Sequence, residues 1–177
     1  MAFVKPEEIV KKYFHLQPGM VVADFGAGSG FYTLAAAEAV GNPGKVYAID
    51  IQKDLLEKIK SRAEDEGLEN VEIVWADLEK EEGSKFAENS VDFVIISNIL
   101  FQVPDKASVA KEAFRVLNHG GRLAVLDWSE SFGGLGPRPE KVFPREECEK
   151  MFLETGFVLD EEFDAGEHHY GIIFKKQ

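Results

Sequence analysis

The stretch Val21–Val40, VVADFGAGSGFYTLAAAEAV, places a glycine-rich loop between an apolar run and an alanine-rich run. The apolar residues before the loop favour a buried strand, and the alanine-rich run after it favours a helix. Gly26, Gly28 and Gly30 alternate through the loop. Glycine loses more conformational freedom on folding than any other residue, so three alternating glycines indicate a backbone that approaches a ligand closely.

The rest of the chain repeats this alternation of short β-branched runs and longer amphipathic stretches. Predicted strands are MVVADF, GKVYAIDI, VEIVWAD, VDFVIISNI, GRLAVLDW, FVLDEEFDA and HYGIIFKK. Predicted helices are Pro6–Phe14, Phe31–Val40, Lys53–Glu66, Lys106–Leu117 and Arg145–Thr155. GNPG (Gly41–Gly44) and NHGG (Asn118–Gly121) are expected to end the helices before them.

Strands that alternate with helices predict right-handed crossovers and a parallel sheet with helices on both faces. The connection DAGEHH between the last two strands is too short for a crossover helix, so these strands are expected to form an antiparallel hairpin. The prediction is an α/β fold with five parallel strands and a closing hairpin. Ligands bind such sheets beyond the carboxyl ends of the strands, where the strand order reverses.

The residues in and after the glycine loop argue against two common nucleotide-binding loops. The dinucleotide fingerprint needs a small residue where this chain has Phe31, because helix and strand pack closely there. A phosphate-binding P-loop needs Lys-Ser/Thr after the last glycine, which is absent here. Asp24 lies two residues before the first glycine, and a carboxylate at that position favours a cationic ligand.

Two further carboxylates end the next predicted strands. Asp50 follows Gly30 by twenty residues and is suited to accept hydrogen bonds from both hydroxyls of a ribose. Asp77 ends the third strand, where it could bind an adenine amino group or, with nearly equal weight, cap a turn. Both positions lie at the edge of the sheet where a ligand is expected.

Bulk properties restrict the remaining possibilities. The length of 177 residues predicts a single domain over 1–177. The formal charge of −12 argues against a nucleic-acid partner. One cysteine, a charged N-terminus and the lack of a long apolar segment predict a cytoplasmic protein that does not insert into membranes.

The glycine motif, the strand-end carboxylates and the segment SNILFQVPDKASVAKEAFRVLNHGGRLAVLDW together resemble the class I S-adenosylmethionine-dependent methyltransferases. The small-molecule branch that includes ubiquinone- and menaquinone-biosynthesis enzymes, known as methyltransferase type 11, is the most similar. This resemblance runs from LQPGMVVADFGAGSG to YGIIFKK. It implies a Rossmann-like, doubly wound, seven-stranded sheet that is mostly parallel and has an antiparallel C-terminal strand.

The resemblance also implies a cofactor site for S-adenosylmethionine, with S-adenosylhomocysteine as the product. Asp24 would hold the methionine ammonium through water, Asp50 the ribose, and Asp77 the adenine amino group. Tyr13, on an N-terminal helix within residues 1–16, would fold over the cofactor. The residues implied for cofactor binding are Asp24, Phe25, Gly26, Ala27, Gly28, Gly30, Asp50, Ile51, Ala76, Asp77, Leu78, Ser97, Asn98 and Tyr13.

Methyl transfer from a sulfonium is an in-line displacement, so positioning supplies much of the rate and a general base is needed only for a protonated nucleophile. No catalytic residue is assigned from the sequence; if a proton must be removed, Asp127, His168 and Asp105 are the candidate bases. Cys148, in REECEK, is expected to be a partly exposed structural thiol. His168 and His169 would point to opposite faces of a strand, so no metal site is predicted.

The acceptor is predicted to be a small, apolar or aromatic molecule. The Gly- and Pro-rich loop Trp128–Phe143 would lie over it, with an apolar pocket lined by Trp128, Phe132, Phe143 and Phe101. The turn SNILFQVPD lacks the Pro-Pro motif of amide and nucleobase methyltransferases, and one cysteine is too few for arsenite methylation. A non-catalytic cofactor-binding module, a protein or RNA methyltransferase and, less favoured, a nicotinamide oxidoreductase remain alternatives; a homodimer is left open.

Overall fold

A computed structural model describes residues 5–177. Its centre is one seven-stranded sheet. The strands are β1 (Val21–Phe25), β2 (Lys45–Asp50), β3 (Val71–Trp75), β4 (Val91–Ser97), β5 (Leu117–Trp128), β6 (Val158–Phe163) and β7 (His169–Lys175). Each lies within or close to a strand predicted from the sequence.

The strand order is β3-β2-β1-β4-β5-β7-β6. β1 to β5 pair in parallel, whereas β7 runs antiparallel to both β5 and β6. The predicted fold class and the closing hairpin are therefore confirmed. The order reverses between β1 and β4, so their carboxyl ends leave room for a ligand.

The helices lie where the sequence predicts them, with small differences at their ends. They are α1 (Pro6–Ile9), a π-helical turn (Val10–Phe14), α2 (Phe31–Val40), α3 (Lys53–Asp65), α4 (Lys106–Val116), a 3₁₀ turn (Pro139–Lys141) and α5 (Arg145–Thr155). The helix predicted over Pro6–Phe14 thus begins as an α-helix and widens to a π-helix. Its last residue accepts a hydrogen bond from Arg122, since Nη1 lies 3.0 Å from the Phe14 carbonyl oxygen.

Alternate residues of the sheet pack against helices on opposite faces. Val94 and Ile96 of β4 belong to the cluster that includes α4 and α5. Phe93 and Ile95 of the same strand belong to the cluster with α1 and α2. This period of two is the reason why a central strand must be apolar on both faces. Within the described residues, no helix is long and apolar enough to cross a membrane.

The segment Asn118–Gly121 differs from its prediction. We expected these residues to end a helix as a turn, but β5 already begins at Leu117. Leu117 pairs with Val91, and the register then shifts so that Arg122 pairs with Phe93. The glycines stay attached to the sheet because Gly120 N donates to the Lys176 carbonyl and Lys176 N donates to the Gly121 carbonyl. The turn is therefore a bulge at the beginning of β5.

Cys148 is also placed differently from its prediction. Its side chain is buried in the cluster between α5 and the sheet, together with Phe152. Burial raises the pKa of the thiol to about 12. Cys148 is therefore a core residue rather than a partly exposed one.

Candidate active site

A cavity of about 380 Å³ opens at the carboxyl ends of β1, β2 and β4, where the strand order reverses. Seven residues of the predicted cofactor site line it, and they come from three strand ends that are distant in sequence. These residues are Asp24, Gly26, Ala27, Gly28, Asp50, Ser97 and Asn98. The structure thus brings together the glycine loop, the Asp50 carboxylate and the end of β4.

The three glycines of the loop have different surroundings. All have positive φ, +72° at Gly26, +54° at Gly28 and +80° at Gly30. A Cβ on Gly26 would lie 2.6 Å from Ile99, and one on Gly30 would lie 2.6 Å from Ile59. At Gly28 it would meet only the Gly26 carbonyl oxygen, at 3.9 Å. Close packing thus explains two of the glycines, and Gly28 is the one that leaves space for a ligand.

Asp24 is a buried carboxylate at the inner end of the cavity. Its Oδ2 accepts a hydrogen bond of 2.6 Å from the hydroxyl of Thr33 on α2. Burial raises the pKa of Asp24 to about 7, and the negative charge of Asp50 adds to this increase, while the Thr33 hydrogen bond opposes it. A cation in the cavity would favour the ionised form of Asp24.

Asp50 fixes the glycine loop to the end of β2. Its Oδ2 accepts a hydrogen bond of 3.0 Å from Gly28 N, and its Oδ1 accepts one of 2.9 Å from Gln52 N. A carboxylate oxygen has more than one lone pair, so each can accept a second donor from a ligand. Asp50 lines both this cavity and a neighbouring one.

The neighbouring cavity has a volume of about 240 Å³ and shares five lining residues with the first, namely Gly26, Asp50, Gln52, Ile99 and Gln102. Ile51 is 61% exposed and lines this cavity, so its apolar side chain is accessible to a ligand there. Asp77 Oδ1 accepts a hydrogen bond from Glu79 N, so this carboxylate does form the turn that the sequence left open. The predicted residues that line this cavity are Ile51, Ala76, Asp77 and Leu78, in addition to Gly26 and Asp50.

Asn98 follows β4 with a positive φ of +55°, which is uncommon for a residue with a side chain. Its backbone N donates to the Leu126 carbonyl oxygen at 2.9 Å, which holds the turn against β5. Its Oδ1 is buried and has no hydrogen-bond partner within residues 5–177, and the residue lines the larger cavity. A buried acceptor of this kind is costly unless a ligand or water donates to it.

Neither cavity is lined by a lysine or arginine among residues 5–177. The larger cavity has Asp24 and Asp50, and the smaller one adds Asp77 and Glu79. The surroundings are therefore negative and rich in hydrogen-bond acceptors. They suit a ligand that carries positive charge, and S-adenosylmethionine carries both an ammonium and a sulfonium.

Three of the implied cofactor residues do not line either cavity. Phe25 is fully buried in the core, so only its backbone follows the loop. Gly30 precedes α2 and packs on Ile59. Tyr13 stacks on Phe163, with ring centroids 4.8 Å apart, and is not among the cavity-lining residues. From the N-terminal region, Pro6 reaches the cavity instead.

None of the three candidate bases lines either cavity. Asp127 is fully buried, and its oxygens accept hydrogen bonds from Leu100 N and Trp128 N. Burial raises the pKa of Asp127 to about 6. Asp105 caps α4 by accepting from Ser108 N at 3.0 Å. His168 Nδ1 lies 2.8 Å from Glu130 Oε1.

The aromatic residues of the predicted acceptor pocket also lie outside the lining of the two cavities. Phe132 stacks on His168 at a centroid distance of 3.8 Å, and the ring of Trp128 packs near His169 at 4.2 Å. Phe143 is buried, and its carbonyl oxygen accepts from the Tyr170 hydroxyl. Phe101 is half-buried. The contacts of Trp128, Phe132 and Phe143 attach the loop Trp128–Phe143 to the beginning of β7 and the residue before it.

Several lining residues were not predicted from the sequence. Gln52 and Gln102 could have been predicted from the sequence, since both follow strand ends by a few positions. Tyr32, Ala165 and His169 also line the cavity. Whether their side chains face it depends on how the chain packs, which the sequence does not show. The full set of unpredicted residues is Pro6, Ser29, Phe31, Tyr32, Gln52, Leu55, Glu79, Ile99, Gln102, Val103, Val109, Leu126, Ala165 and His169.

Residues 16–165 match a family model described as a methyltransferase domain. The chain belongs to this methyltransferase family. Demethylmenaquinone methyltransferase from Geobacillus sp. (strain WCH70) is 32% identical over 127 residues, which are 72% of this chain and 53% of that protein. The chain thus spans about half the length of that curated relative.

Solved methyltransferase structures have the same fold. A SAM-dependent methyltransferase from Aquifex aeolicus superposes with a TM-score of 0.86 at 29% identity, over 97% of this chain and 89% of that one. A type 11 methyltransferase from Sulfolobus solfataricus superposes with a TM-score of 0.79 at 27% identity, over 99% and 94%. The family resemblance drawn from the sequence, with its Rossmann-like sheet, is confirmed.

Proposed function

We propose that the protein binds S-adenosylmethionine across the two cavities and transfers its methyl group to a small acceptor. The observation that carries this proposal is the pair of joined, acidic cavities at the reversal of strand order, with no lysine or arginine among their described lining residues. A cationic nucleoside suits such a site. A dinucleotide brings a pyrophosphate, which these carboxylates would repel.

The methionine end would occupy the larger cavity. Asp24, as a carboxylate, would hold the ammonium through water, and the unpartnered Oδ1 of Asn98 would accept a further hydrogen bond. Gly28 would let the backbone pass close to the ligand, because a Cβ added there would meet no side chain of residues 5–177 within 4 Å. These three features agree with the roles that the family resemblance implies.

The nucleoside end would extend into the smaller cavity. Asp50 would bind the ribose hydroxyls with the lone pairs left over from its bonds to the glycine loop. The exposed side chain of Ile51 and the buried Leu78 would contact the two faces of the adenine. Asp77, only 31% exposed at its side chain, would accept from the adenine amino group.

The bound cofactor would supply an activated methyl group with a good leaving group. The task of the protein is to hold the acceptor in line with that methyl and to exclude water, and this positioning alone can supply much of the rate. Leu126 and Ala165 give the acceptor side of the cavity an apolar surface. We infer a small, apolar or aromatic acceptor, with the loop Trp128–Phe143 and the N-terminal helix as its cover.

The relatives suggest the first acceptor to test. Their name, demethylmenaquinone methyltransferase, describes a ring-bearing apolar substrate, and this chain spans about half of the first such relative. Demethylmenaquinone is therefore the reference acceptor in a wider screen of small aromatic compounds.

Calorimetric titration with S-adenosylmethionine, S-adenosylhomocysteine and NADH tests the cofactor. Saturable binding of the two sulfur nucleotides alone, weakened in Asp50→Ala, supports the proposal; binding of NADH, or of none, refutes it. Transfer of a labelled methyl group to the screened acceptors then tests turnover. Cofactor binding without transfer to any small molecule, peptide or RNA would favour a non-catalytic module instead.

A further inference from the structure

The sheet ends at β3 on one side, and within residues 5–177 no strand pairs with the outer edge of β3. Asn70 O and Ala76 N bond to β2, so the even-numbered residues of this segment face inward. Backbone groups alternate in direction along a strand. Val71, Ile73 and Trp75 therefore present their N–H and C=O groups to the outer edge, where a further strand can pair with them.

The opposite edge strand, β6, has features that prevent such pairing. Its register shifts between Leu159 and Glu161, and it carries three successive carboxylates over 160–162. A bulge and charges of one sign keep a second β6 strand away. β3 has an unbroken register with β2, and Glu72 is its one charged residue. Of the two edges, β3 is the one open to pairing.

A groove of about 220 Å³ lies along this edge between β3 and α3. It is lined by Lys53, Leu56 and Glu57 of the helix and by Ile73 and Trp75 of the strand. The Trp75 side chain is 53% exposed, and Lys53 Nζ lies 3.8 Å from the centre of its ring. The edge therefore offers an apolar surface as well as backbone hydrogen bonds.

The flank of α3 beside this groove carries four exposed charges of alternating sign, Lys53, Glu57, Lys60 and Glu64. With 3.6 residues per turn, the four lie within about 60° of one another around the helix. The first two line the groove, so this charged stripe faces the free edge. Arg62, on the opposite flank, instead donates to the glycine loop.

A second copy of this chain complements the free edge of β3. A two-fold axis through Ile73, perpendicular to the sheet, makes the two β3 strands antiparallel and places Val71 of each copy opposite Trp75 of the other. The outward N–H and C=O groups then meet as hydrogen-bonded pairs. The Trp75 carbonyl accepts a bond of 2.7 Å from Lys85 Nζ, and its second lone pair remains for the second copy.

The level of this axis on α3 follows from two contacts. Lys53 Nζ lies over the Trp75 ring, which places the beginning of the helix level with the end of the strand. A strand advances about 3.3 Å per residue and a helix about 1.5 Å, so Ile73 is level with roughly the fourth residue after Lys53. That residue is Glu57, which lines the groove together with Ile73.

An axis at this level also pairs the two charged stripes. The two α3 helices run antiparallel across it, which places Glu57 of each copy opposite Lys60 of the other. Lys53 is then opposite Glu64 of the second copy. Each contact occurs twice, and opposite charges meet in all of them. The strand edge and the helix stripe are therefore self-complementary about the same axis.

We propose that the protein forms a two-fold symmetric homodimer through the outer edge of β3 and the charged stripe of α3. The two seven-stranded sheets join into one continuous sheet, and Trp75 becomes buried between the copies. The interface adjoins the smaller cavity, because Trp75 Nε1 donates to the Ile51 carbonyl at 2.9 Å. The pairing itself depends on no ligand in either cavity, so it is independent of the proposed function.

The test is sedimentation velocity of the full chain at concentrations from about 1 µM to about 200 µM. We expect the wild type to become dimeric within this range. Glu57→Lys places a lysine opposite Lys60 of the second copy and should weaken the dimer about tenfold, since the axis makes the change occur twice. Lys60→Glu added to Glu57→Lys restores opposite charges in exchanged positions and should restore the dimer.

Glu154→Lys is the matched control. It makes the same change of charge at an exposed position of α5, where Glu154 pairs with Lys150, and it should associate as the wild type does. Melting temperatures, which should stay similar, verify that the variants fold. A wild type that stays monomeric, a dimer that Glu57→Lys leaves intact, or a double variant that stays dissociated would each overturn the proposal. Equal weakening by Glu154→Lys would also overturn it, because net charge alone would then explain the effect.

Discussion

The hydroxyl of Thr33 donates a hydrogen bond of 2.6 Å to Oδ2 of Asp24, and both groups are buried. Thr33 lies one turn into α2, so the helix that follows the glycine loop also orients the carboxylate that precedes it. The hydrogen bond only partly offsets the effect of burial, which raises the pKa of Asp24 to about 7. A poised acid of this kind at a binding site couples ligand affinity to pH.

Affinity for S-adenosylmethionine should therefore rise with pH up to about 7. Below that value Asp24 is protonated and must lose its proton before it can hold a cation, which costs up to about tenfold in affinity per pH unit. Calorimetry between about pH 5.5 and about pH 7.5 keeps the ligand's amino group mostly protonated. Thr33→Val, which removes a bond that lowers this pKa, should move the rise to higher pH. A flat profile in the wild type contradicts the assignment.

The same carboxylate should destabilise the free protein at neutral pH. The folded-state pKa of Asp24 lies above the ordinary value of 3.8, so the folded state binds the proton more tightly. Stability then falls as pH rises from about 4 to about 7, by on the order of 3 kcal/mol. Asp24→Asn should remove this fall, so its melting temperature should exceed that of the wild type at pH 8. An equal pH slope in both proteins would contradict this.

Asp50→Asn should weaken binding of S-adenosylhomocysteine without unfolding the protein. Asn keeps one acceptor oxygen where the carboxylate now serves Gly28 N, Gln52 N and the expected ribose hydroxyls. Hydrogen bonds to a charged group contribute about 1.5–3 kcal/mol, so the loss should be roughly tenfold to a hundredfold. Asp54→Asn, an exposed carboxylate in the first turn of α3, is the matched control and should bind normally.

Local patterns predict most of the fold. Strands and helices follow from apolar periodicity and glycine positions, and the hairpin follows from a connection too short for a helix. The order of the strands and the bulge at Gly120 depend on pairing between distant segments, which no local pattern records. The burial of Cys148 could have been predicted from the sequence, because it lies four residues before the buried Phe152 on the same face of α5.

The candidate site also has residues that the sequence predicts and residues that only the folded structure shows. Asp24, Asp50 and Asn98 lie at or next to the carboxyl ends of strands, and parallel strands bring these ends to one edge, so the sequence predicts that they meet. His169 lies at the beginning of an antiparallel strand and lines the larger cavity, whereas the sequence analysis named its neighbour His168 as a candidate base. Only the packing of Phe132 and Glu130 on His168 separates them.

The thiol of Cys148 should not react in the folded protein. Burial raises its pKa to about 12, and the side chain has no exposed surface, so neither thiolate nor access is available at pH 8. The chain has one cysteine, so a thiol reagent should give no reaction in buffer and one equivalent in denaturant. Rapid modification of the native protein would show that α5 opens readily or is packed differently.

Gly28→Ala and Gly30→Ala should separate ligand binding from packing. Both positions have positive φ, so each alanine incurs backbone strain of about 1–2 kcal/mol. At Gly30 the methyl would also lie 2.6 Å from Ile59, so the melting temperature should fall further there than at Gly28. At Gly28 the methyl would occupy the cavity, so affinity for S-adenosylhomocysteine should fall more than stability. If Gly28→Ala binds as the wild type does, the ligand does not pass over this loop, because the added methyl would stand in its path.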